Sequence, residues 1–194
     1  MTTKFWIARR SALTGLLATA GVLHVAPAWA VGECSKFGKP TYQADRLVRL
    51  GGETVRSRVY VMGDMEREEI DRGGRIEVII IARGQMITYS PDTKVGLRRS
   101  LGAMPKPKIN KDSVRLREES SGTGAKLILE TRSDDGSWTK VDEVTCRRDG
   151  VVLAKSSTVP INGRMVPMEM MQQIRGGPVD RNLFTPPSDI KFQR

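Results

Sequence analysis

The chain has 194 residues, a formal net charge of +10, two cysteines and a single histidine. That histidine, His24, lies in the leader described below, so the mature chain has no imidazole for a Ser-His or Cys-His pair, a zinc or iron site, or a general base. Most common hydrolase mechanisms are thereby excluded. We expect a protein that is not an enzyme and that needs no cofactor.

The first thirty residues have the organisation of a secretory signal. A basic start is followed by an uncharged span at residues 11–25, and Ala28 and Ala30 supply the small residues of a cleavage site. The span is shorter than the roughly 20 residues that a membrane-crossing helix needs, which disfavours an anchor. We therefore predict a periplasmic protein, exported and cleaved after Ala30.

The mature domain, residues 31–194, has the size of a single domain and remains basic. Three basic residues and no acidic ones leave with the leader, so the mature domain keeps 29 Lys and Arg and 22 Asp and Glu. This excess favours anionic partners such as a membrane surface, and export makes nucleic acid the least expected partner. The pair Arg9-Arg10 leaves both the twin-arginine and the general export route open.

The two cysteines, Cys34 and Cys146, are predicted to form a disulfide, because an even number of cysteines in an exported chain favours pairing. A redox-active pair is disfavoured because the chain has no Cys-x-x-Cys motif. The bridge would tie the start of the mature domain to a late strand.

Short runs of alternating apolar and polar residues, separated by turn residues, predict an all-β domain of about eleven strands with few or no helices. Pairs such as Gly51-Gly52 and Arg83-Gly84 mark hairpin turns. Only residues 167–174 have a helix-forming composition, and their state stays open. The predicted strands start at Thr41, Glu53, Met65, Arg75, Gln85, Lys94, Ser113, Ala125, Trp138, Val151 and Met165.

Two strands early in the chain carry specific expectations. The strand at 41–50 is predicted to lie at a sheet edge, because Pro40 opens it and proline is tolerated at strand starts and edges. The strand at 65–71 is highly charged. We predict that its three glutamates form ion pairs across a solvated face beside Arg67. These glutamates are Glu66, Glu68 and Glu69.

Later segments complete the pattern. The consecutive β-branched residues of 78–81 predict a central strand buried on both faces. A basic stretch with two prolines at 102–112 is predicted to be a crossing loop. The pair Leu183-Phe184, which stands just before two prolines, is predicted to anchor the C-terminus on the sheet.

Five short motifs follow one another along nearly the whole mature chain. They are Val59-Tyr60-Val61-Met62-Gly63 with Glu66-Arg67, Ile79-Ile80-Ile81-Ala82-Arg83, Tyr89-Ser90-Pro91-Asp92-Thr93-Lys94, Arg148-Asp149-Gly150-Val151-Val152-Leu153, and Leu183-Phe184-Thr185-Pro186-Pro187. In this order they resemble the LolA/LolB-like superfamily, specifically its outer-membrane lipoprotein-sorting branch. The resemblance implies a strongly curved, unclosed antiparallel barrel whose concave side holds an apolar cavity for acyl chains. The lid helices of those carriers have no counterpart in this sequence.

A carrier of this kind must offer apolar surface, because a lipid tail in water is disfavoured by about 0.8 kcal/mol per methylene. Alternation along the strands selects apolar side chains for the concave face, although the same side chains could simply fill a core. The predicted ligand-binding residues are Val59, Val61, Ile76, Val78, Ile80, Ile87, Tyr89, Val95, Leu97, Leu127, Leu129, Trp138, Val151 and Leu153.

The sequence thus predicts a binding protein for an apolar or amphipathic ligand, such as a lipid or the acyl chains of a lipoprotein. A first alternative is a docking or sensor module that uses the same sheet to bind an envelope protein. A second is copper(I) binding by soft thioethers, although methionines more often pack as adaptable gap fillers. The methionines concerned are Met165, Met168, Met170 and Met171.

The leader and the disulfide can be tested together by intact mass spectrometry of the exported protein. We expect the mass of residues 31–194 less two hydrogen atoms, because cleavage after Ala30 and pairing of Cys34 with Cys146 change the mass by known amounts. Reduction should restore both hydrogens. Two free thiols in the natively exported protein would contradict the disulfide.

Overall fold

The computed structural model describes residues 34–101, 112–161 and 163–193. The predicted leader lies outside these residues, as do residues 102–111 of the predicted crossing loop. In the described part the chain forms twelve β-strands and one short 3-10 helix, Arg181–Phe184. None of the described helices is long and apolar enough to cross a membrane.

Eleven of the twelve strands begin within one residue of a predicted start, so the predicted strand rhythm is confirmed. Residues 167–174, whose state stayed open, lie within the long strand β11. The strands are β1 Thr41–Leu50, β2 Glu53–Met62, β3 Met65–Asp71, β4 Ile76–Ala82, β5 Gln85–Ser90, β6 Val95–Ser100, β7 Val114–Ser121, β8 Gly124–Arg132, β9 Trp138–Arg147, β10 Val152–Ile161, β11 Arg164–Arg175 and β12 Lys191–Gln193.

All twelve strands form a single sheet in the order β12-β6-β5-β4-β3-β2-β1-β11-β10-β9-β8-β7. The pairs are antiparallel except β12 with β6, and the sheet is strongly curved without closing. The prediction that β1 is an edge strand is wrong, because β1 pairs with β2 on one side and β11 on the other. Pro40 does not prevent this, since the ladder begins after it at Thr41. The edges are β7 and β12.

Two-residue hairpin turns connect β1 to β2 and β4 to β5. Gly51 and Gly52 have φ values of 56° and 93°, and Arg83 and Gly84 have 51° and 71°. Positive φ at both central residues is the turn geometry whose twist matches that of the flanking strands. Both predicted turns are therefore confirmed, and each fixes the pairing of its two strands.

The register divides the side chains between two faces, because neighbouring residues in a strand point to opposite sides of a sheet. We call the face that carries Tyr42, Ala44, Arg46 and Val48 the inner face, and the opposite one the outer face. Inner-face side chains of β1, β2 and β11 pack in two clusters, which also contain Cys34 and Phe37 of the segment before β1 and Val151 of the turn before β10. This part of the inner face is therefore a packed core.

The outer face of β4 and β5 is covered by the C-terminal segment, residues 177–193. Ile80 and Tyr89 pack there against Phe184 and Ile190. The Arg67 guanidinium donates hydrogen bonds of 3.0 Å to the Leu183 carbonyl and to the Tyr89 hydroxyl. The predicted C-terminal anchor and the burial of β4 on both faces are thus confirmed.

Cys34 and Cys146 form the predicted disulfide, with their Cα atoms 5.6 Å apart. Both residues are buried in an inner-face cluster with Leu127 and Val144. The bridge joins the segment before β1 to β9, so it fastens that segment to the half of the sheet away from the C-terminal segment.

Removal of the aromatic anchor should destabilise the fold. Phe184→Ala is expected to lower the free energy of unfolding by about 3–5 kcal/mol, because it opens a cavity over β4 and β5. Urea unfolding followed by tryptophan fluorescence measures the change. Met165→Ala, at a side chain that is 64% exposed, should change the stability by less than about 0.5 kcal/mol. Equal effects of the two substitutions would contradict the anchoring role.

Candidate functional site on the curved sheet

The fourteen residues predicted to line one concave face lie on two faces. Val59 pairs with Glu68, whereas Tyr60 pairs with Arg67 and Arg67 with Ile80, so Ile80 and Val59 point to opposite sides. The prediction that all fourteen residues share one face is therefore wrong. Their contact with a ligand stays a prediction. The inner face holds Val59, Val61, Val95, Leu97, Leu127 and Leu129, and the outer face holds Ile76, Val78, Ile80, Ile87, Tyr89 and Trp138.

Most inner-face members of the predicted set are buried or half-buried, and Val95 is exposed. Val59 and Leu127 are almost completely buried. Val151, just before β10, and Leu153, within β10, pack in a cluster with Val59 and Val61. The outer-face members of β4 and β5 lie beneath the C-terminal segment. Most of the predicted ligand-binding side chains therefore already have packing partners within the chain.

A charged cluster lies within the inner face. Arg46, which is 2% exposed, donates from Nη1 to Glu66 Oε1 at 2.8 Å and to Glu68 Oε2 at 3.2 Å. The Ser57 hydroxyl donates to Glu68 Oε1 at 2.6 Å. The prediction that Glu66 and Glu68 lie on a solvated face is wrong, while Glu69 does pair with Arg67 on the outer face at 2.8 Å.

The sequence contains a signal for this buried cluster that the prediction missed. Arg46 alternates with Tyr42, Ala44 and Val48, so it occupies an inward position of β1. In β3, Glu66 and Glu68 have the same phase as the buried Ile70. An arginine thus falls on the apolar side of one strand. Carboxylates fall on the apolar side of a strand two positions away in the sheet. Together these two positions indicate a buried ion network.

Burial and charge set the protonation states in this cluster. Burial alone would lower the pKa of Arg46, but the negative charges of Glu66 and Glu68 outweigh it, so the pKa lies above its ordinary value. Burial raises the pKa of the Tyr42 hydroxyl to about 12, against the opposing charge of Arg46. The guanidinium therefore stays charged and the phenol stays neutral at physiological pH.

Several inner-face polar atoms are buried without a hydrogen-bond partner among the described residues. They include Arg46 Nε and Oε1 of Gln172, the residue that pairs with Arg46 across β1 and β11. Farther along the sheet, Lys155 pairs with Asp142 at 2.9 Å, but Asp142 Oδ1 and the neighbouring Ser157 Oγ have no partner. The inner face thus retains spare donor and acceptor capacity, which suits an enclosed water or a hydroxyl group.

An open groove of about 750 Å³ lies on the outer face across β3, β2, β1 and β11. Its floor follows the row of paired residues Ser57, Arg46 and Gln172. Because these side chains point inward, the backbone of that row faces the groove. Two rows of outer-face side chains form its walls, so the groove runs across the strands rather than along them.

The two walls of the groove differ in polarity. One wall contains Gln173, Asp45, Arg58 and Glu69, which are successive partners on β11, β1, β2 and β3. The other wall is formed by Met171, Leu47, Arg56, Asp71 and Ile76. Met171 and Ile76 lie toward opposite ends of this second wall and are 50% and 36% exposed. The groove therefore has an amphipathic cross-section.

The four methionines considered for copper do not converge on one point. Met168 and Met170 are buried on the inner face, whereas Met165 and Met171 are exposed on the outer face. The alternation of β11 produces this division, because residues at odd and even positions of a strand point to opposite sides. Met171 instead belongs to the wall of the groove.

Comparisons with known proteins support the fold. No family profile matches the chain, and no curated protein matches it. An uncharacterized conserved protein from Thermus thermophilus is similar over 86% of this chain and 97% of its own, with a TM-score of 0.52 and 17% identity. A DUF1329 family protein from Desulfovibrio piger matches over 86% of this chain and 98% of its own, with a TM-score of 0.37 and 13% identity.

Loss of the buried guanidinium should destabilise the fold strongly. Arg46→Met is expected to lower the free energy of unfolding by about 3–5 kcal/mol, because it leaves two buried carboxylates without their counter-charge. Arg49→Met removes an exposed arginine of the same strand, whose ion pair with Glu169 is solvated, and should cost less than about 1 kcal/mol. Urea unfolding of both variants measures the difference. A mild effect at Arg46 would show that the two carboxylates do not depend on it.

Proposed function

We propose that this chain is an exported binding protein for an apolar or amphipathic ligand, such as a lipid or the acyl chain of a lipidated polypeptide. The groove on the outer face is the observation that carries the proposal. Its volume of about 750 Å³ lies within the range of roughly 300–1,000 Å³ that small-molecule sites occupy. Its amphipathic walls suit a ligand that has both polar and apolar parts.

The groove is a better candidate than the inner face. Around β1, β2, β8 and β11 the inner-face apolar side chains are already packed against one another. The exposed inner-face side chains Val95 and Leu116 lie near opposite ends of the sheet, on β6 and β7, whereas Met171 and Ile76 leave apolar surface exposed within one groove. Of the fourteen predicted ligand-binding residues, only Ile76 lines the groove. The proposal thus keeps the class of ligand predicted from the sequence but moves its site.

The energetics of such a groove suit a reversible carrier. Full burial of ten methylenes would contribute about 8 kcal/mol, but a groove that is open on one side buries only part of each methylene. Association also costs at least about 4 kcal/mol of lost translational and rotational freedom. The net result is weak to moderate binding, from which a ligand can be passed on.

Two further observations support an envelope role. The Cys34–Cys146 disulfide suits an oxidising compartment such as the periplasm. The curved, unclosed sheet agrees with the motif-based resemblance to the LolA/LolB-like superfamily, and we propose that the chain is a relative of its lipoprotein-sorting branch. The filled inner face separates it from carriers that hold acyl chains in a concave cavity.

The filled inner face also favours a second candidate function. A sheet whose inner side is packed can act as a rigid support that docks an envelope protein. In that case the groove would receive an extended polypeptide segment instead of a lipid. The two candidates differ in what copurifies with the chain.

Native mass spectrometry with lipid extraction tests the proposal on protein purified from the cell envelope. We expect bound acyl species on the wild-type chain and a loss of at least tenfold in Met171→Glu, because a charge in the apolar wall repels a tail. Met165→Glu is the matched control, since this exposed methionine of the same strand lies outside the groove. Absence of acyl species from the wild-type chain would favour the docking function.

A further inference from the structure

Most charged side chains of the groove have a partner among the described residues. Four arginines line it, and three of them have a hydrogen-bond or ion-pair partner. Arg46 binds Glu66 on the inner face, Arg175 Nε donates to Asp45 at 2.6 Å, and hydrogen bonding with Tyr60 together with the charges of Asp45 and Glu69 raises the pKa of Arg58. Among the described residues, Arg56 has no ion-pair or hydrogen-bond partner.

The acidic residues of the groove are occupied as well. Asp45 accepts from Arg175, and Glu69 pairs with Arg67 at 2.8 Å. The Asp71 carboxylate accepts a hydrogen bond of 2.7 Å from the backbone amide of Gly74 in the following turn. Arg56 is therefore the one charged lining residue without a hydrogen-bond or ion-pair partner among the described residues.

The position of Arg56 gives the groove a direction. Arg56 pairs with Leu47 across β2 and β1, Leu47 pairs with Met171 across β1 and β11, and Met171 pairs with the small Ala154 of β10. This row of paired residues, from Arg56 to Ala154, spans three strand spacings, or about 14 Å. It leads from the unpaired Arg56 guanidinium over apolar side chains. In the other direction the wall continues to Asp71, whose negative charge disfavours an anionic group there.

We infer that the groove binds a single-chain amphiphile with an anionic head, which lies across the strands with its head at Arg56 and its tail over Leu47 and Met171. This inference rests on the proposed function and specifies its ligand. A guanidinium forms paired, charge-assisted hydrogen bonds with carboxylate and with phosphate oxygens, so both heads share the required chemistry. The exposed apolar side chains then cover the part of the tail nearest to the head.

Isothermal titration of the disulfide-bonded mature protein tests the inference. The probes are an alkyl carboxylate, an alkyl phosphate and a neutral alkyl maltoside of equal chain length, each below its micellar concentration. We expect the anionic probes to bind more tightly than the maltoside. Arg56→Gln should weaken the anionic probes roughly tenfold and leave the maltoside unchanged, and Arg56→Lys should lie between, because lysine keeps the charge without the paired geometry.

Arg164→Gln is the matched control, since Arg164 is an exposed residue of β11 outside the groove. It should leave every affinity unchanged, and thermal unfolding checks that the variants are folded. Preference of the wild type for the carboxylate or for the phosphate would identify the head. If Arg56→Gln lowered the affinity for anionic and neutral probes equally, or lowered neither affinity, the inference would be overturned while the proposed function stands. Failure of all three probes to bind the wild type would overturn the proposed function itself.

Discussion

The structure depends on one constraint, which is that a single sheet has two faces and each apolar face must be buried. On the inner face, side chains of β1 and of β8 to β11 pack in one cluster, and those of β1, β2 and the start of β10 pack in another. The outer face needs other cover. The C-terminal segment supplies it over β4 and β5, where Phe184 and Ile190 pack on Ile80 and Tyr89. The groove lies on the outer face of β11, β1, β2, β3 and the start of β4, where Met171 and Ile76 remain exposed.

The buried ion network has its structural role beneath this same groove. Arg46 joins β1 to β3 across β2 through Glu66 and Glu68. A buried network of this kind adds little net stability, but the loss of one charged partner lowers the stability of the fold strongly. A slip of β1 by one residue would move Arg46 to the outer face and leave both carboxylates buried without a counter-charge. The network therefore discriminates against alternative registers in the strands that form the groove, so the spacing of the two walls is fixed.

The division between a packed inner face and an open outer groove shapes the functional proposal. A fold shared at low identity does not by itself define a function, so the assignment has to rest on the site. In this chain the site is a shallow trough that crosses the strands, with one mostly polar wall, one largely apolar wall and a free cation at Arg56. Such a trough is accessible from solvent without the movement of a lid, which agrees with the absence of lid helices from the sequence pattern.

Local features of the fold were predictable from the sequence. The strand starts, the turns at Gly51-Gly52 and Arg83-Gly84, and the apolar character of β4 depend on neighbouring residues, and all of them agree with the structure. The disulfide was predictable for a different reason, since two cysteines allow only one intramolecular pairing.

The tertiary structure alone decided the edges, the faces and the site. The central position of β1 requires pairing with β11, which lies more than one hundred residues away, and no local pattern encodes such a partner. The phase of alternation could not be carried from β2 to β5, because β3 has charges on both sides and β4 has apolar residues on both sides. Only the pairing of distant strands, and the place where the C-terminal segment lies, determine which surface of the sheet stays open.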